Sequence, residues 1–104
     1  ATPGPQLTLT TGTRVIYMIN AWQSNTIANN ATYSAVTITG ASSIGGDQSR
    51  AAITDGLGAS QGMRVGYFHM EEGLTAGSNT FTMQYHVVAG TGTFKWRRLS
   101  VICL

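Results

Sequence analysis

Apolar and polar side chains alternate with a period of two in short runs along this chain. Clusters of Gly, Asn, Ser and Asp interrupt the runs before any of them could become a long helix. That pattern confines the fold to β-sheets. With 104 residues there is room for one domain, spanning residues 1–104, with a two-layer core.

The runs are placed as follows. Gln6 to Thr10 alternates Leu7 and Leu9 against Thr8 and Thr10. Residues 14–22 read as a long strand with Val15, Tyr17, Ile19 and Ala21 on one side and Ile16 and Met18 on the other. Both faces are apolar, so the strand needs cover on both sides. Gln23 to Asn30 reads as a polar loop, and residues 32–39 as a strand that changes face between Tyr33/Ala35 and Val36/Ile38.

Residues 40–61 hold five glycines and only a short periodic piece at residues 50–53. A connection this long inside a small domain is expected to cross between sheets and build a contact surface. Residues 62–70 form a second strand with apolar groups on both faces, Met63, Val65 and Tyr67 against Phe68 and Met70. Residues 79–87 alternate most cleanly, with Phe81, Met83, Tyr85 and Val87 inward and Thr80, Thr82, Gln84 and His86 outward.

Gly90 and Gly92 mark a tight connection into the last strand, residues 93–104. Its apolar parity shifts between Phe94/Trp96 and Leu99/Val101, which predicts a β-bulge near Arg97 and Arg98. The expected architecture is an all-β, antiparallel β-sandwich with jelly-roll-like connections.

Charge narrows the function classes. Charged residues are 10% of the chain, against roughly 25% in ordinary soluble domains, which suits a surface used largely in contacts. Six basic and four acidic residues are scattered, and nucleic-acid binding wants a basic stripe or face, so no nucleic-acid partner is expected. No apolar run reaches the ~18 residues of a membrane-spanning helix, so no membrane insertion is expected. Residues 1–5 read as a linker or strand lead-in, and the start at Ala1 suggests part of a longer gene product.

The residues that could carry chemistry are few. Cys103 with His69 or His86 would make a thiol–imidazole pair, but the penultimate residue of an apolar strand reads as a core thiol. His69, Glu71, Glu72 and His86 could gather around a metal if their two strands paired, yet their spacing matches no ligand motif. No catalytic residue, no metal and no cofactor is assigned, and the chain is expected not to be an enzyme.

Doubly apolar strands are hard to reconcile with a lone two-layer sandwich, which buries one face of each sheet. Copies of the chain covering one outer face resolve the conflict. The expected interface is Ile16, Met18, Met63, Phe68 and Met70, and head-to-tail contacts between identical copies close into rings, giving a homotrimer. Trp22, Trp96, Arg97 and Arg98 are the candidates for ligand or receptor contact, through aromatic stacking or an anion site. Arg97 and Arg98 are also expected to pair with Asp47, Asp55 or a partner's carboxylate.

The segment from Leu74 through Asn79 and Phe81 to Tyr85, then Gly90-Thr91-Gly92-Thr93-Phe94, then Arg97-Arg98-Leu99-Ser100-Val101-Ile102, resembles a recurring Thr/Gly-rich domain of tailed-bacteriophage virion proteins. The opening Gln6-Leu7-Thr8-Leu9-Thr10-Thr11-Gly12-Thr13 is similar too, and Cys103 departs from the family's proline at that position. The resemblance implies a virion structural protein, a capsid decoration or tail-fibre module assembled in the bacterial host cytoplasm. Its implied partners are itself, as a trimer, and other virion proteins. The alternative is a host-receptor or carbohydrate-binding module of a tail fibre.

Overall fold

A computed structural model describes residues 4–104 and folds them into seven strands and one short 3-10 turn. The strands are β1 (Gln6–Thr11), β2 (Val15–Asn25), β3 (Thr32–Gly40), β4 (Ala51–Thr54), β5 (Gly62–Glu71), β6 (Gly77–Val87) and β7 (Gly92–Cys103). They form two antiparallel sheets, one in the order β1-β6-β3-β4 and one in the order β5-β2-β7. Every connection except β3 to β4 crosses from one sheet to the other. The glycine-rich stretch after β3 therefore does pass between sheets, once β4 has paired with β3. Ala1 to Pro3 of the lead-in lie outside the described residues, while Gly4 and Pro5 exchange backbone hydrogen bonds with Met83.

The core is built from the inward parity of each strand. Val15, Tyr17, Ile19 and Ala21 of β2 meet Val36, Ile38, Phe81 and Met83 of the facing sheet, and all are buried. Val65, Tyr67, Leu99 and Val101 pack against this cluster from the flanking strands. Because side chains alternate sides along a strand, fixing these residues inward sends Ile16, Met18, Asn20 and Trp22 to the outer face.

Two strand assignments differ from the sequence pattern for one reason. β2 continues through Gln23, Ser24 and Asn25, which the pattern assigned to a loop, and all three are buried. Gln23 is fully enclosed: its Nε2 donates to the Thr32 carbonyl at 3.0 Å and to Thr54 Oγ1 at 3.1 Å, and its Oε1 accepts from the Ser34 hydroxyl. Asn25 Nδ2 donates to Thr32 Oγ1 at 3.3 Å and to the Ala89 carbonyl at 2.9 Å. One end of the sandwich is thus filled by polar groups that satisfy each other, which offsets the cost of burying them. The same network puts Thr32 and Ser34 on the inward face with Val36 and Ile38, so β3 keeps one parity and does not change face.

The bulge in β7 is present, one residue earlier than its expected centre. Arg98 pairs with Asn20 and Lys95 with Trp22, which leaves Trp96 and Arg97 opposite the single residue Ala21. Trp96 takes φ +52°, in the left-handed region that a bulky side chain rarely occupies.

Candidate functional site

The β5-β2-β7 sheet presents an outer face that no other described segment of the chain covers with a layer of its own. Its pairing register sets out what that face carries. Ile16 lies between Met70 and Ile102, and Met18 lies between Phe68 and Ser100. These apolar groups are open to solvent, with Phe68 72% exposed, Ile102 49%, Met70 44% and Met18 40%. Ile16 is half-buried among them. Side chains of this kind set next to each other form a contiguous patch, unlike isolated surface hydrophobes.

Four of the five expected interface residues share this patch. Met63 does not, because it has the inward parity of Val65 and Tyr67 and pairs with buried Gln23. It is exposed at the start of β5, the edge strand of its sheet, so it is not part of the outer-face patch. Ile102, which the sequence reading did not single out, takes its place once the bulge fixes the parity of β7.

Beyond Asn20, Gly66 and Arg98 the chemistry of the face changes. Trp22 sits between Arg64 on β5 and Lys95 on β7. Its ring packs over Gly62, where any Cβ would overlap it. Trp96 meets Trp22 edge to face, with centroids 6.1 Å apart at 69°. Lys95 Nζ lies 4.8 Å from the Trp22 ring centroid, and the Arg64 guanidinium lies 5.4 Å from that of Trp96.

The expected contact group is therefore brought together only in part. Trp22 and Trp96 touch, and Arg98 lies on the same face one pair further along. Arg97 turns away: its Nη1 donates to Tyr85 Oη of the facing sheet at 3.2 Å, and its guanidinium stands 5.8 Å from the Tyr85 ring. Desolvation raises the Tyr85 pKa in spite of this cation. Neither arginine pairs with Asp47 or Asp55: the one close contact between a basic side-chain nitrogen and a carboxylate among the described residues is His69 Nε2 to Glu71 Oε2 at 3.6 Å. Arg64 and Lys95 complete the group in place of Arg97. Arg64 was legible from its parity with Phe68, whereas the side taken by Lys95 depends on where the bulge falls.

The remaining chemical candidates are dispersed. His69 lies on the inward parity of β5, while His86 stacks on Tyr33 on the outer face of the other sheet, with centroids 5.8 Å apart. Their strands belong to different sheets and do not pair. Among the described residues no three His, Cys, Asp or Glu side chains converge on a common point. Cys103 is exposed and not a core thiol: it stands at the end of β7, at the rim of the sandwich, where its Sγ donates only to the Thr10 carbonyl of the facing sheet at 3.8 Å.

No family model, curated protein or solved structure matches this chain. The assignment of a role therefore rests on the surface itself. One shallow groove of about 290 Å³ lies on the outer face of the four-stranded sheet, lined among others by Tyr33, Asp47, Gln48, Gln84 and His86. The glycine-rich segment supplies one wall of it. The Asp47 carboxyl is held below its usual pKa by hydrogen bonds from the backbone and side chain of Ser49.

Proposed function

We propose that this chain is a non-enzymatic structural module of a tailed-phage particle, a capsid decoration or tail-fibre domain, that assembles by packing the outer face of its β5-β2-β7 sheet against copies of itself. The observation that carries the reading is the row Ile16, Met18, Phe68, Met70 and Ile102, with Phe68 72% exposed in a lone chain. Fully burying one side chain of this size stabilises by roughly 1.5 to 3 kcal/mol relative to leaving it in water. Five of them on one face make association with a second apolar surface favourable.

Self-association is preferred to a foreign partner because the patch consists of two isoleucines, two methionines and one phenylalanine with no charged group among them, a composition suited to the dry centre of an interface. The phage setting and the trimeric, jelly-roll-like assembly are supported by the resemblance in the Leu74 to Tyr85 and Gly90 to Ile102 segments. In this reading no residue has a catalytic role.

The test is to image the assembled particle with wild-type protein and with Phe68→Ser. Density for the module with this sheet facing a neighbouring copy supports the proposal. Wild-type occupancy by the Phe68→Ser variant, or an outer face open to solvent in the particle, contradicts it.

A further inference from the structure

The two ends of the outer face differ in chemistry, and the tryptophan end has features that self-association does not use. Four pleats separate Met18 from Trp22, a distance of ~13 Å along the strand. At that end Arg64 and Lys95 lie over the two indoles and Arg98 stands on the same face beside Asn20, and among the described residues no carboxylate forms a salt bridge with any of the three. Three like charges on neighbouring strands repel each other and create a local positive potential that attracts an anion.

Two further observations point to what that anion is attached to. Trp96 is 60% exposed although its backbone sits at φ +52°. A non-glycine residue there is strained, and glycine would occupy the same bulge without strain. The gain at this position is thus the exposed indole itself, held by Trp22 and Arg64. Asn20, beside Arg98 and Gly66 at the inner margin of the cluster, has a side-chain oxygen that is buried and without a hydrogen-bond partner. A buried acceptor left unpaired by the chain is completed by a water or by a ligand's donor.

We propose that this cluster is a binding site for an acidic oligosaccharide, a sugar bearing a carboxylate. The apolar face of the sugar ring stacks on Trp96, since aromatic faces pack against such surfaces. The planar guanidinium of Arg64 takes the carboxylate, with Lys95 and Arg98 as the further cations. A sugar hydroxyl donates to Asn20 Oδ1. An acidic peptide carries the charge without a ring to stack, and single-stranded DNA stacks and carries charge but offers no hydroxyl along its backbone. Single-stranded RNA also offers a ring, a charge and a hydroxyl, but its phosphate backbone wants a basic stripe, and the six basic residues of this chain form none, so the sugar acid is the class the cluster favours.

The experiment titrates the full chain with an oligogalacturonate, following tryptophan fluorescence and heat, with maltohexaose, oligoglutamate and oligo-dT in parallel. Saturable binding of the galacturonate that weakens with salt is expected, and the other three should bind on the order of tenfold more weakly or not at all. Trp96→Gly is expected to lose at least about tenfold in affinity while its unfolding midpoint stays at or above that of the wild type, because the strain is relieved. Arg64→Gln with Lys95→Gln should lose a similar factor, and Phe68→Ser should bind as the wild type does. Absence of galacturonate binding overturns the proposal. So does equal affinity for oligoglutamate or oligo-dT, or a Trp96→Gly variant that binds normally. Because Phe68→Ser leaves this site intact, failure of self-association and failure of sugar binding are read separately.

Discussion

Replacing Gln23 by Ala removes the polar link that ties the two sheets together at one end. Gln23 is fully buried and makes three hydrogen bonds, at 3.0 Å to the Thr32 carbonyl, at 3.1 Å to Thr54 Oγ1, and from the Ser34 hydroxyl. After truncation all three partners remain buried. Each unsatisfied group costs roughly 1 to 3 kcal/mol, part of which any water entering the vacated volume recovers. The expected loss is therefore on the order of 3 to 5 kcal/mol, a large share of the 5 to 15 kcal/mol typical of a whole domain. For a chain near 100 residues this lowers the unfolding midpoint by roughly 15 to 30 °C. Equilibrium denaturation at one fixed protein concentration measures it. Removing the two side-chain partners together with it, as Gln23→Leu with Ser34→Ala and Thr54→Val, should recover part of the loss, since only the Thr32 carbonyl is then left without this partner. A Gln23→Ala variant within about 0.5 kcal/mol of wild type would refute this account of the sandwich end.

Other consequences follow from the same packing. Burial pushes the Tyr17 hydroxyl up to about 12 from its ordinary 10, against the opposing influence of Arg50. The unfolded chain releases this proton first, so the stabilisation is complete below pH 10 and disappears as pH rises through 12. Its size is about 2 to 3 kcal/mol, and urea unfolding across that window should lose this component in Tyr17→Phe. Asn79 Nδ2 donates to Thr11 Oγ1 at 2.8 Å and to the Thr75 carbonyl at 3.0 Å, and its Oδ1 accepts from the Ser42 amide at 2.9 Å. Asn79→Ala should cost on the order of 2 to 4 kcal/mol in chemical denaturation. Gly62→Ala places a methyl group where the Trp22 ring lies, so the ring must leave its place over Gly62 and change its packing against Lys95. A shifted tryptophan emission spectrum, with a loss of roughly 1 to 2 kcal/mol, is the expected result.

How far the fold could be read from the residues varies with how each stretch solves its burial. Where apolar groups alternate, as in Phe81, Met83 and Tyr85, period and parity were legible directly. The parity break between Phe94 and Leu99 revealed the bulge to within a residue, because both keep the inward parity across it, although Trp96, read with Phe94, turns to the outer face. Gln23, Ser24, Asn25 and Ser34 were not legible. A polar side chain that is buried and satisfied by another looks the same in sequence as one in water.

The candidate site divides the same way. Ile16, Met18, Phe68 and Met70 shared a face by parity alone, whereas Met63 misled because its exposure reflects a strand end and not a face. The company of Trp22 depended on strand order. Only when β5 and β7 flank β2 do Arg64 and Lys95 arrive on either side of it, and neither neighbour is adjacent to it in sequence.

Sedimentation equilibrium of the unmodified protein at micromolar concentration tests the central claim most directly. A mass of three chains that falls to that of one in Phe68→Ser is the predicted result. A single-chain mass for the wild type throughout that range would mean that water, and not another copy, covers Phe68 and its neighbours.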